Sequence, residues 1–160
     1  MIFKDPSMSF LDVLIAPATV SARLLNPLQS LFALGARCYV SAQFFKAGYL
    51  KYTDWPTTLS LFTSEYHVPW LSPHDAAVAG TFGELCFPTL MTIGLYTRLS
   101  AIGLFVVNGV AVLSYRQVLL AEGSEAALGQ HVLWGTLILF VVIYGPAKIS
   151  LDYLFNRARF

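Results

Sequence analysis

Charged side chains are scarce in this sequence. Only 12% of the residues are Asp, Glu, Lys or Arg, against about 25% in soluble globular domains. Ten basic residues face nine acidic ones for a formal net charge of +1, so no basic excess exists to neutralise phosphates, and nucleic acid is not expected as a partner. Ready-made catalytic signatures are missing as well. No CxxC, CxxCH, HExxH or GxSxG occurs, and no phosphate-cradling glycine loop, so nothing points to redox-dithiol, haem, zinc-protease or hydrolase chemistry. His67, His74 and His131 have no metal-ligand spacing, and no metal is expected. The two cysteines, Cys38 and Cys86, both lie inside apolar runs, where a free thiol serves as a small hydrophobe rather than half of a disulfide. A cleavable leader is not expected either, because Lys4 is followed at once by Asp5 and Pro6, and the apolar patch from Phe10 to Ala16 contains Asp12 and stops at Pro17.

What the chain has instead is apolar length. With 56% hydrophobic residues and a mean hydropathy of +0.63, it carries four long apolar runs, over Leu28–Leu50, Ala76–Thr97, Leu99–Tyr115 and Leu128–Ala147. Each approaches or exceeds the ~17–25 residues that cross a ~30 Å hydrocarbon layer. Apolar residues run around these helices rather than along one stripe, which argues against a soluble bundle. The expected fold is an all-α integral membrane protein with four transmembrane helices in an up-down bundle, in contact with the lipid bilayer. Residues 1–27 read as an amphipathic cytoplasmic arm, 28–152 as the membrane domain and 153–160 as a basic cytoplasmic tail. The segment Asp54 to Asp75, rich in Pro, Ser, Thr and the rings of Trp55, Phe62, Tyr66 and Trp70, suits a loop on the membrane surface.

An even number of spans puts both termini on one side. That side carries Lys4, Arg23, Arg98, Lys148, Arg157 and Arg159, while the other carries Lys51 and Arg116 beside four acidic residues. The positive-inside rule then places both termini and the Tyr96–Arg98 turn in the cytoplasm.

Against this background the polar residues inside the runs stand out. At ~100° per residue, Arg37, Phe44, Gly48 and Lys51 share one stripe of the first run, so its charges lie on a face where a glycine permits close helix approach. Glu84 is the only charge of the second run, about 12 Å below its outer end at ~1.5 Å per residue. Gln43, Lys46 and Lys51 of the first run and His131 of the fourth lie at comparable depth, so Glu84, Lys46 or Lys51, and His131 form an expected outer polar cluster. Deeper, Arg37 either meets Asn108 of the third run or reaches Asp152 at the cytoplasmic rim. Such a cluster admits two readings: a pocket where an acid, a base and a histidine handle protons beside a small redox molecule, or ion pairs that only fix helix register.

Three stretches resemble the DoxX family of small four-helix bacterial membrane proteins. The first run holds Arg37, Phe44-Phe45, Gly48 and Lys51; the second holds Glu84 and the turn Gly94-Leu95-Tyr96-Thr97-Arg98; the fourth ends in Gly145-Pro146 and Ser150-Leu151-Asp152. One departure is that Gly145-Pro146-Ala147-Lys148 stands where members often show a second glycine and an arginine. The resemblance implies a multi-pass protein of the bacterial inner membrane. The family name comes from a small subunit associated with a membrane thiosulfate:quinone oxidoreductase, and other members look like partners of sulfur, thiol or oxidative-stress enzymes, or of metal-responsive peptide-modifying systems.

The functional expectation is therefore a small inner-membrane subunit associated with redox chemistry, binding a quinone or similar molecule in an intramembrane polar pocket. Candidate ligand-binding residues are Arg37, Lys46, Lys51, Glu84, Asn108 and His131, with Gly94, Arg98, Gly145 and Asp152 shaping turns at the rim. No catalytic residue is assigned; if the protein takes part in catalysis, it does so as a subunit of a membrane oxidoreductase. The alternative is a non-catalytic anchor or adaptor for a partner enzyme, and a weaker one is a carrier of small solutes or metal ions. A protein partner or a homo-oligomer is expected, since Gly80, Gly83, Gly103 and Gly109 permit helix packing within or between chains.

Overall fold

The computed structural model describes residues 10–157, all of whose regular structure is helical. Lys4, Arg159 and the outermost residues of the expected arm and tail lie outside the described residues.

Helix α1 spans Phe10–Thr53, 44 residues or about 66 Å at 1.5 Å per residue. It runs on through Pro17 and through Pro27, the last residue of the expected arm. A proline removes one backbone hydrogen bond, whereas ending a helix strands several N–H and C=O groups at once, so continuing is the smaller loss. From Ser30 onward a face of α1 is buried at Ala33, Ala36, Arg37, Val40, Ser41, Phe44 and Gly48, the 3.6-residue period of a helix lying in a bundle.

The expected surface loop contains a helix, α2 (Trp55–Ser64), which starts because Asp54 accepts a hydrogen bond from the Thr57 N–H at 3.3 Å and Pro56 lacks a donor to waste in the first turn. It buries Thr58 and Phe62 against α3. The Thr58 hydroxyl donates to the Lys51 carbonyl at 3.0 Å, pinning α2 to the end of α1. Ser72 then caps α3 (Pro73–Ile93), accepting from the Asp75 N–H at 3.2 Å. This helix contains Pro88 and ends at Gly94, whose φ of +73° is the left-handed conformation that side chains disfavour.

Helix α4 (Thr97–Ser114) follows after three residues, Gly94 to Tyr96, and must turn back along α3. The short α5 (Arg116–Leu119) leads to α6 (Glu125–Tyr144), which stops at Gly145, and α7 (Leu151–Arg157) folds under the bundle. Helix α1 packs on α3 and α6, and α4 packs on α3 and α6, closing a four-cornered ring. Its apolar centre is Val40, Phe44, Met91, Ala101, Leu104, Ile138 and Val141, drawn from all four long helices.

Helices α3, α4 and α6 are each long and apolar enough to cross a membrane. In α6 the argument is plainest: its mean hydropathy is 1.9, yet only 17% of that stretch is buried inside the protein. Val132, Leu133, Leu139 and Ile143 face outward, and that apolar exterior belongs in lipid.

Candidate functional site

Two polar constellations sit at opposite ends of the ring. At the end where α1 finishes, Lys51 Nζ donates to both carboxylate oxygens of Glu84, at 2.8 Å to Oε1 and 2.6 Å to Oε2. Glu84 is 7% exposed. Its neighbour on α1 is Gly48, where an added Cβ would stand 2.8 Å from the Glu84 Cβ and 3.0 Å from its carbonyl carbon. The missing side chain lets the two backbones approach, and that approach puts Lys51, one turn further along α1, within reach of the carboxylate.

Across the ring at the same end, Asn108 and His131 join α4 to α6. Asn108 Nδ2 donates to the His131 carbonyl at 3.1 Å, leaving its Oδ1 to accept from His131 Nδ1 at 2.8 Å. This sets the ring tautomer, with the proton on Nδ1 and an acceptor at Nε2. The His131 ring meets Trp134 edge-on with centroids 5.0 Å apart, and Trp134 meets Phe44 of α1 at 5.6 Å.

At the opposite end Arg37 is fully buried and donates through a guanidinium nitrogen to the Ile149 carbonyl. Beside it the Gly94–Thr97 turn is clasped by the start of α7. Asp152 accepts from the N–H of Tyr96, the N–H of Thr97 and the Thr97 hydroxyl, each at 2.8 Å, while its own N–H donates to the Gly94 carbonyl at 2.8 Å. Burial pushes the Asp152 carboxyl up, but the three donors and the charge of Arg37 outweigh it and hold the group below its ordinary range. Arg98 donates to the Ile143 carbonyl at 3.3 Å and lies over Gly145, where a Cβ would come 3.0 Å from Arg98 Nε.

The structure thus brings Lys51 to Glu84, Arg37 to the Asp152 rim rather than to Asn108, and Asn108 to His131. Lys46 is exposed and makes no hydrogen bond or ion pair among the described residues, and none joins Glu84 directly to His131. Asp152, Gly94, Arg98 and Gly145 are one assembly, which their scattered positions in the chain conceal. Sequence reasoning missed Thr81 and Trp134, whose buried donors lie on the faces that carry Glu84 and His131; an i, i+3 spacing to each of those residues was the available signal. Cys38 and Cys86 are both free thiols.

Two cavities border these constellations without including their charged groups. One of about 340 Å³ lies between α1 and α3 and is lined by Cys38, Ser41, Phe45, Pro88 and Thr92. The other, of about 410 Å³, lies under the α2–α3 loop beside Phe62, Tyr66 and His67.

Comparison with known proteins gives one result. No curated protein and no solved structure matches the chain. The DoxX family profile matches residues 32–117, more than half of the chain, and takes in Arg37, Gly48, Lys51, Glu84 and the Gly94–Arg98 turn. The protein is a member of the DoxX family of membrane proteins.

Proposed function

We propose that the protein is a small subunit that holds a redox enzyme at the bacterial inner membrane, with its internal charges serving assembly of the bundle. The observation that carries this reading is the Lys51–Glu84 pair: both carboxylate oxygens are taken by one ammonium, in a place where Gly48 leaves no room between the helices. A charge closed off in this way is a register device first. The association with a redox partner comes from the DoxX resemblance. On this reading α1 supplies a fourth span beside α3, α4 and α6, and both termini are cytoplasmic. Arg98, Lys148 and Arg157 gather at the Arg37 end, while Glu65, Asp75, Glu122 and Glu125 gather at the other, which supports that orientation.

A quinone or similar small molecule bound at Glu84 is the alternative, and it requires Lys51 to release the carboxylate. The double variant Lys51→Met/Glu84→Met separates the two. Removing one partner of a buried pair strands a charge, whereas removing both is commonly tolerated. The subunit reading expects the double variant to insert, to co-purify with its partner in mild detergent and to sustain electron flow, while Glu84→Gln alone loses assembly. Normal assembly with abolished electron flow in the double variant would overturn it in favour of the ligand site.

A further inference from the structure

Two hydrogen-bond donors in the Lys51 half of the bundle have no protein partner among the described residues, Trp134 Nε1 and Thr81 Oγ1, and both atoms are sealed from solvent. The indole N–H has no second role, since it can only donate. In a protein surrounded by lipid, such a donor has no bulk water to fall back on.

Their positions are not independent. Trp134 packs on His131 and on Phe44, and Phe44 stands one turn from Gly48, whose backbone touches Glu84. Thr81 precedes Glu84 by three residues and shares its face of α3. Thr81 therefore lies one turn from the Lys51–Glu84 pair that joins α1 to α3, and Trp134 one turn from the Asn108–His131 pair that joins α4 to α6.

We propose that Trp134 and Thr81 bind water in this layer, and that the water links the Lys51–Glu84 pair to the Asn108–His131 pair as one hydrogen-bonded unit. Water suits the site because it accepts from the indole and the hydroxyl and still donates onward. The acceptors on hand are the remaining lone pairs of the Glu84 carboxylate and Nε2 of His131, left open by the tautomer that Asn108 imposes. Glu84 and His131 are then coupled through water although the two residues share no direct bond. This goes beyond the subunit role and stands whether or not a partner enzyme is held.

The test uses the protein in lipid nanodiscs with Trp55→Phe and Trp70→Phe, so that Trp134 is the only indole. Ultraviolet resonance Raman spectra in H₂O and D₂O report whether its N–H is hydrogen-bonded and whether it exchanges. The proposal expects a hydrogen-bonded N–H that exchanges within minutes, and a shift of its band in Thr81→Val and in Glu84→Gln. A free or non-exchanging N–H overturns it, and so does a band unmoved by Thr81→Val in a protein of unchanged helicity. Thr81→Val alters no charge, so the result stands even where Glu84→Gln fails to assemble.

Discussion

The carboxylate of Asp152 sits 2.8 Å from both the backbone nitrogen and the hydroxyl of Thr97, fifty-five residues earlier in the chain. Helix α4 has no capping side chain of its own, because its N-cap position is Tyr96 in a left-handed conformation. Asp152 supplies the missing acceptor from α7, placing a negative charge on the positive end of the α4 dipole. Two short motifs, the Gly-Leu-x-Thr-Arg turn and the Ser-Leu-Asp close, are thus halves of one joint.

Asp152→Asn keeps the shape of that joint and removes its charge. Asparagine still accepts through one oxygen, but its NH2 cannot accept where the second carboxylate oxygen did, so at least one of the three donors loses its acceptor at a cost of about 1 kcal/mol, and the charge of Arg37 is left less well balanced. The expected outcome is a lower unfolding temperature in detergent, with Thr97→Val lowering it less because two backbone donors stay satisfied. Equal stability of Asp152→Asn and the parent would contradict the capping role.

The same group predicts a pH dependence. Its folded pKa lies below the unfolded value of about 3.9, so the folded state binds fewer protons. Its contribution is therefore fully present above the unfolded pKa and is lost as pH falls through the folded one. Acid titration of stability should show a steeper loss below about pH 4 in the parent than in Asp152→Asn. Parallel curves would show that Asp152 is not held ionised by this joint.

Gly48→Ala sets helix propensity against packing. Alanine favours a helix over glycine by about 1 kcal/mol, so an open site would be stabilised. Here the new Cβ would lie 2.8 Å from the Glu84 Cβ, and α1 must move off α3. Net destabilisation is expected, larger for Gly48→Leu, read as loss of monodisperse protein on size exclusion. A gain in stability would mean that the close approach is not tight.

Asn108→Leu removes both hydrogen bonds to His131 while keeping similar volume. The His131 ring loses the partner that selects its tautomer, and nitrogen chemical shifts of labelled histidine should report a mixed population. A single Nδ1-protonated form persisting in Asn108→Leu would show that some other group sets the tautomer.

Much of this was legible from the chain alone. Bilayer-length apolar runs with few charges left little alternative to membrane helices, because a lipid-facing surface and a self-contained backbone are satisfied by composition and length. The stripe of Arg37, Phe44, Gly48 and Lys51 was readable too, since helical period is a local property. That one helix continues through Pro27 was not legible, because a proline's cost is local while the helix around it is held by what lies on both sides. The α2 helix was hidden for a related reason: Asp54 caps its first turn and Thr58 ties it to the end of α1, while it has no long periodic apolar face.

Pairing was different. The sequence by itself determined the long apolar helices, their apolar exteriors and the presence of Glu84, Arg37 and Asn108 at depths where each needed a partner. It left open whether Lys46 or Lys51 answers Glu84, and whether Arg37 turns to Asn108 or to the rim at Ile149 and Asp152. Only the tertiary structure decided these, because each choice depends on how closely and at what rotation two helices meet. A glycine at position 48 draws α1 onto α3 at the level where Lys51 reaches Glu84, and the fold of α7 beneath the bundle brings Asp152 to the Thr97 turn. Helix formation is set by neighbours in the chain, while hydrogen bonds between helices are set by distances that no stretch of sequence contains.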